Sequence, residues 1–333
     1  MAQDHYDIAI IGGGGAGTMA FLRSVLNYDR SVLFLGDADD KRRGRATWVA
    51  EVDNIPGMHD LQRPIISTTA STLKWIAQQE KLNDVGSTIK GSVTGVRVVD
   101  DGFKVSYRTR TDTLELAARF VILATGLMDV QPEIGGSIEP VFPFANRGDV
   151  LYCLRCDGHR TIGHRLSVIG GGDTGVGIAA LMHERYGHEG IAVLSNGESF
   201  DAISDRSREL VEAYGLELYE QPLAEVLGEP KGEGLTGFRL LGDTVVETTR
   251  CIIALGTIVY NELLTALGGE VDGDGRVIVS SVYETSVPGF FAVGDLVAGR
   301  KLQIYTAWDE AVDAADEINR RLRKMKRQAA LGR

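Results

Sequence analysis

The sequence is poor in three things: it has only three cysteines in 333 residues, no apolar run as long as a membrane span, and no excess of basic charge. The lack of a spanning run, with an opening Met1-Ala2-Gln3-Asp4-His5-Tyr6 that has no basic-then-apolar leader pattern, makes a cytoplasmic location the expectation. Cysteines this sparse in the cytoplasm favour catalytic over structural thiols. The charge balance of 35 Lys and Arg against 46 Asp and Glu is net −11, which excludes general nucleic-acid binding because that needs a basic face. What the chain does have is 44% hydrophobic residues, enough at this length for two cores. It also has 41 glycines, and they fall at element junctions, as tight turns against nucleotide phosphates would require.

The first of those turns follows the apolar run Tyr6 to Ile11, which predicts a strand. Gly12-Gly13-Gly14-Gly15-Ala16-Gly17 comes next and leads into the helix-like Thr18-Met19-Ala20-Phe21-Leu22. In this grammar Gly12 permits the tight turn, Gly14 lets the backbone approach a pyrophosphate, and Gly17 lets helix and strand pack closely, with the helix N-terminus facing the anion. Ser31 to Leu35 reads as the next strand, and Asp37, twenty residues past Gly17, is placed to hold a ribose hydroxyl. The charged stretch from Asp37 to Arg45 reads as a solvated loop. An amphipathic pattern predicts a helix over 73–81, alternation about Asp101-Gly102 predicts a hairpin, and Phe120 to Gly126 reads as a buried strand ending in Thr125-Gly126. The same grammar returns at Leu166 to Ile169 followed by Gly170-Gly171-Gly172-Asp173-Thr174-Gly175, so the chain reads as an α/β protein with a duplicated nucleotide fold. Further strands over 191–194, 216–219, 237–240, 245–248 and 251–256 and a terminal helix over 306–327 complete the pattern.

Between the two glycine turns, Tyr152-Cys153-Leu154-Arg155-Cys156-Asp157-Gly158-His159 sets two thiols three positions apart, able to close a disulfide within one helical turn. A zinc half-site would need a second pair of ligands. The remaining thiol, Cys251, lies in the apolar run Cys251-Ile252-Ile253-Ala254-Leu255 and reads as a small core residue, while the histidine pairs 159/164 and 183/188 lack zinc-finger company. No metal site is expected, and the pair reads as redox-active, with Arg155 able to favour the thiolate. Asp157 can pass protons or cap a helix.

Taken in order, these segments resemble the low-molecular-weight thioredoxin reductases, a flavin disulfide reductase family, over nearly the whole chain. The resemblance implies two Rossmann-like FAD/NAD(P)-binding domains, the second inserted into the first: 1–130 with 256–333 for FAD, and 131–255 for the redox disulfide. It implies flavin contacts from Gly12, Gly14, Gly15, Gly17, Asp37, Thr125 and Gly126. The late Gly294-Asp295 segment would join them, with Asp295 on the ribityl chain and Gln303 near the flavin ring, flanked by Ile304, Tyr305 and Trp308. It further implies that Cys156 faces the flavin, that Cys153 exchanges with a thioredoxin-like or small dithiol partner, that Asp157 is the acid, and that the chain is a homodimer.

The departures from the family are as informative. Where NADPH-dependent members carry His-Arg-Arg and a later Arg, this chain has Ser195-Asn196-Gly197 and Asp201, so a 2′-phosphate would meet Glu198 and Asp201 in place of guanidinium groups. NADPH is therefore not the expected partner; Glu198 can take an unphosphorylated ribose, which leaves NADH open. Tyr305 and Trp308 replace small or aliphatic residues and either stack on an isoalloxazine or pack in the core. The family's Gly-Gly-Gln loop gives way to Arg45 to Ala50, with Trp48. These changes resemble the pyridine-nucleotide-independent branches, of which one, the diflavin-linked disulfide oxidoreductases, stacks a second FAD on the first and another takes electrons from ferredoxin; a glycine turn kept without its phosphate clamp favours the diflavin type. The tail beyond Asn319 carries seven Lys and Arg and no acid, which suits a helix C-terminus in solvent or a weak contact with an anionic membrane surface. A non-catalytic flavin-binding redox sensor is the remaining alternative.

Overall fold

The computed structural model describes residues 5–37, 44–47, 49, 51–59 and 61–332, so Trp48 and the charged stretch 38–43 lie outside the described residues. The first elements in chain order are β1 (His5–Ile11), α1 (Gly15–Leu26), β2 (Ser31–Phe34), α2 (Pro64–Gln78), α3 (Glu80–Asn83), β3 (Gly86–Ile89), β4 (Ser92–Val99), β5 (Gly102–Arg108), β6 (Thr113–Leu123) and β7 (Leu127–Asp129). There follow α4 (Phe142–Arg147), β8 (Val150–Leu151), α5 (Leu154–Asp157), β9 (Leu166–Ile169), α6 (Gly172–Tyr186), β10 (Ala192–Leu194), α7 (Asp205–Tyr214) and β11 (Glu217–Tyr219). The last are β12 (Leu223–Glu229), β13 (Gly234–Leu240), β14 (Val245–Glu247), β15 (Arg250–Ile253), β16 (Thr257–Val259), α8 (Glu262–Thr265), β17 (Phe290–Ala292) and α9 (Ile304–Ala330). They form two compact units: residues 1–46, 65–128 and 259–333 make the first, and residues 47–64 and 129–258 the second.

In the first unit β3, β2, β1 and β6 run parallel in that order; β5 and β4 continue antiparallel from the first half of β6, and β17 pairs parallel with its second half. β1 is buried on both faces, as a parallel strand between two layers must be. Ile8 and Ile10 share a core with Ala20, Phe21 and Val25 of α1 and with Ala311, Ala314 and Ile318 of α9, whereas Ala9 and Ile11 share one with Val32, Val105 and Phe290. The register sets Ile11 opposite Leu123, so the Gly12 end of β1 lies beside the Ala124 end of β6. The strand order reverses at that pair, and open α/β sheets bind ligands in the crevice outside such a reversal.

The long helix α9 buries Ala307, Glu310, Ala311, Ala314, Ala315, Ile318 and Leu322, a three- and four-residue spacing that makes one inward stripe. Its small residues let it approach α1, where Arg23 reaches Asp316 at 2.6 and 2.9 Å and Asn27 reaches the same carboxylate at 2.9 Å. Three of the tail's cations are spent within the unit: Arg320 on Glu317, Arg321 on Glu284 and Glu317, and Arg323 on Asp29. Among the described residues no helix is long and apolar enough to cross a membrane.

The second unit repeats the plan with a five-stranded parallel sheet, β11-β10-β9-β15-β8, reversing between β9 and β15, and adds the antiparallel meander β12-β13-β14. Glu51 and Asp53 are tied to this unit by Arg160, which pairs with Glu51 and lies 2.7 Å from Asp53.

The hairpin about Asp101-Gly102 forms, with Val99 opposite Gly102. The helix predicted over 73–81 instead starts at Pro64, a residue suited to the first helical position, and stops at Gln79, whose backbone is extended at φ −94° and ψ 96°. Periodicity missed that first half because the Ser67-Thr68-Thr69 run is a weak helix former and Ile66 is exposed, so no apolar stripe marks it.

Candidate functional site

The first glycine turn shows which of its glycines serve the fold. Gly12 sits at φ 118°, and a methyl group there would stand 2.3 Å from the Ala124 carbonyl oxygen; one at Gly17 would stand 1.9 Å from the Gly12 carbonyl oxygen. Both are glycine because backbone passes through the space a side chain needs. Gly14 differs: a methyl group there meets nothing within 4 Å, and its φ of −76° is open to any residue. It caps α1 with no side-chain hydrogen bond, leaving the first peptide N–H groups of the helix, which have no intrahelical partner, without a side-chain acceptor from the cap. A helix end of this kind is able to receive an anion such as a pyrophosphate.

Of the other predicted residues of this unit, Gly294, Ile304 and Trp308 lie against the start of α1. Gly294, at φ 87°, backs onto α1, a methyl group there coming 2.9 Å from Ala16 Cβ. Ile304 lies over Gly15, and the Trp308 indole nitrogen stands 3.6 Å from where a Gly15 methyl would be. Trp308 is half-buried and Tyr305 44% exposed, so Tyr305 is outside the buried stripe of α9. Gln303 precedes α9 with its amide donating to the Leu302 carbonyl, and Asp295 accepts at its own carbonyl from Arg276. Thr125 is committed to structure, its hydroxyl donating to the Tyr260 carbonyl at 2.6 Å, while Gly126 takes a left-handed turn at φ 66°. Asp37 lies past the end of β2, the strand beside β1.

In the second unit β8 leads into Cys153, which caps α5 and accepts the Cys156 peptide N–H at 3.2 Å. The two cysteines form a disulfide with Cα atoms 5.3 Å apart. Capping thus falls to Cys153; Asp157, the last residue of α5, is 7% exposed and lines a small pocket with Glu51, Tyr152 and Arg160. Burial pushes the Tyr152 phenol up, and its hydroxyl donates to Gln131 at 2.7 Å. Arg160 holds the Asp53 carboxyl below the usual range, and His159 reaches the same oxygen at 3.0 Å. This clamp of Glu51, Asp53, His159 and Arg160 was not foreseen, because its members lie a hundred residues apart and follow no motif. Cys251 is a core residue of β15, fully buried, its thiol pushed up to about 12 by burial. Among the described residues no group of His, Cys, Asp and Glu is gathered that would hold a metal.

The second glycine turn repeats two close approaches of the first, although its left-handed glycine is Gly172, at φ 56°, where the first turn has Gly12. A methyl group at Gly170 would stand 3.0 Å from the Ala254 carbonyl oxygen, and one at Gly175 would stand 2.3 Å from the Gly170 carbonyl oxygen. Its middle is different. The Glu198 carboxylate reaches over the turn, 2.1 Å from where a Gly171 methyl would be, and Asp173 accepts the Ser204 N–H in the first turn of α6. Asn196 is pinned by Glu133 and Leu223, and Arg208 is turned onto the Asp201 carbonyl.

Two glycine turns at two sheet reversals, with a disulfide between them in the chain, match a family model for pyridine nucleotide-disulphide oxidoreductases over residues 6–315. The chain belongs to that family. Among its relatives, the thioredoxin reductase of Listeria monocytogenes is 26% identical, the match covering 96% of this chain and 95% of that one. An alkyl hydroperoxide reductase protein of Pseudomonas putida is 25% identical over 94% of this chain, which spans 58% of that protein's length. The fold is that of the thioredoxin reductase of Streptococcus pyogenes, with a TM-score of 0.79 at 22% identity over 97% of this chain and all of the other. It is equally that of HlmI, with 0.78 at 23% identity over 98% and 95%.

Proposed function

We propose that the protein is a flavin-dependent disulfide oxidoreductase that carries an electron pair between FAD in the first unit and the Cys153–Cys156 pair, and on to a dithiol or disulfide partner, without NADPH. The Cys153–Cys156 disulfide carries this reading, supported by the Gly14 end of α1 and by relatives called thioredoxin reductases. FAD, when bound, supplies or accepts the two electrons. The residues do the rest. When the disulfide is reduced, the Cys153 thiolate attacks a partner disulfide, displaces one partner thiolate and forms a mixed disulfide; Cys156 then attacks Cys153, re-forms the intramolecular bond and releases the second partner thiol. Asp157, buried beside the pair, holds the proton that the leaving thiolate takes. Cys153, 8% exposed here, must become accessible for that attack.

NADPH independence rests on the second turn, where Glu198 stands over Gly171 and no cation replaces the family's arginines in 195–201. A second reading, an NADH-dependent thioredoxin reductase, has one observation in its favour: an acid at the glycine turn is also what a ribose diol binds. Anaerobic titration separates them. Flavin absorbance unchanged by NADPH and NADH supports the first reading, bleaching by NADH alone supports the second, and bleaching by micromolar NADPH overturns the first. Cys153→Ser should keep flavin reduction and abolish exchange with a dithiol substrate. The flavin-to-protein ratio, one or two, decides whether the retained second turn holds another FAD.

A further inference from the structure

The late glycine turn of the first unit is held by a residue that the flavin reading leaves out. Glu310, on the second turn of α9, is 1% exposed, and its Oε2 accepts the Gly294 peptide N–H at 2.7 Å. The other oxygen, Oε1, is buried without a hydrogen bond and faces Arg300 Nε at 3.8 Å. Arg300 is itself turned over the Tyr283 ring, 5.2 Å from its centroid. Gly294 in turn backs onto Ala16 of α1 and Ala307 of α9. One carboxyl thus sits beneath the point where three pieces of the crevice meet: the start of α1, the 294–295 turn and the start of α9.

A lone carboxylate here is poorly compensated. It has one peptide donor and a guanidinium beyond hydrogen-bond reach, while Asp295 on the turn and Asp309 on its own helix add charge of the same sign. Burial pushes it up to about 7. A buried group that gains and loses its proton near neutrality responds to any further charge brought close to it. The anion expected over the Gly14 end of α1 is such a charge.

We propose, on the flavin reading above, that Glu310 is a positioning residue of the cofactor crevice, fixing the Gly294–Asp295 turn through the Gly294 peptide and taking one proton from solvent when the anionic cofactor docks. The neutral carboxyl still accepts the Gly294 N–H through its carbonyl oxygen, so the turn survives while one buried negative charge disappears. The sign of the linkage follows. The docked anion raises the carboxyl's proton affinity, so binding takes up a proton and tightens as pH falls through 7. With full uptake, affinity changes about tenfold per pH unit above 7 and levels off below it.

The test uses the full chain stripped of flavin, with FAD binding followed by quenching of flavin fluorescence between pH 6 and 8. Wild type should bind about tenfold more tightly at pH 6 than at pH 8. Glu310→Gln, a permanent mimic of the protonated form, should bind tightly and equally at both. Glu310→Ala should bind weakly at both, because the Gly294 N–H loses its acceptor. Arg300→Gln should move the midpoint of the wild-type profile to higher pH, since it removes a cation that favours the carboxylate. A wild-type affinity flat in pH, or a slope that survives in Glu310→Gln, overturns the inference while FAD binding keeps the functional reading intact. A wild type that binds no FAD at any pH overturns both.

Discussion

Gly14→Ala separates the needs of the ligand from those of the fold. Its methyl group would meet nothing within 4 Å, and the backbone at φ −76° and ψ −170° suits alanine. Alanine is a poorer N-cap than glycine by up to about 1 kcal/mol. It also restrains the unfolded chain, a gain of about 0.4–1 kcal/mol. The two offset, so stability should change by less than about 1 kcal/mol, a shift of about 2–4 °C at most for a domain of this size. The methyl group does, however, stand between the first N–H groups of α1 and any pyrophosphate. Losing one charge-assisted contact of about 1.5–3 kcal/mol weakens FAD binding about ten- to hundredfold. Gly12→Ala and Gly17→Ala are the controls, because each drives a methyl group into backbone at 2.3 and 1.9 Å. Each should cost about 1–3 kcal/mol or more in stability whether or not flavin is present. Thermal melts of flavin-free protein, paired with FAD titration, check all three. A Gly14→Ala protein that melts like the controls, or that binds FAD like wild type, refutes the assignment of Gly14 to the cofactor.

Arg160→Ala should destabilise the second unit by about 1–3 kcal/mol at pH 7 and expose the 51–59 segment to proteolysis, since Asp53 and Glu51 lose their shared cation. Asp53 is held below its ordinary pKa of about 3.9, so the contribution is present above that value and is lost as pH falls through the lowered one; denaturant midpoints of mutant and wild type should converge in acid. Thiol titration of native protein at pH 8 should find no reactive cysteine before reduction and two after it, because burial keeps Cys251 a thiol; a third reactive group would contradict its placement in the core. Arg321→Met should loosen the contact of α9 with the 284–289 turn, because Glu284 accepts two guanidinium bonds at 2.6 and 2.7 Å and also the Gly289 N–H. Hydrogen exchange at Gly289 should quicken, and Glu284, now held low by Arg321, should titrate higher.

Local chemistry was enough to read much of this protein from its residues. A strand that must turn at once into a helix over a phosphate needs glycines at set intervals, so Gly12, Gly17, Gly170 and Gly175 declared both nucleotide folds. Two thiols at a spacing that one helical turn closes declared the disulfide. The charge of 195–201 was equally plain, because sign needs no fold to be known. Tertiary packing alone decided the rest. It set Glu310 under Gly294 and brought Glu51 and Asp53 onto Arg160, and it turned Trp308 toward Gly15 while leaving Tyr305 in solvent. Each of these depends on which distant segments the fold brings together, and that is fixed by the burial of whole faces rather than by any neighbour along the chain.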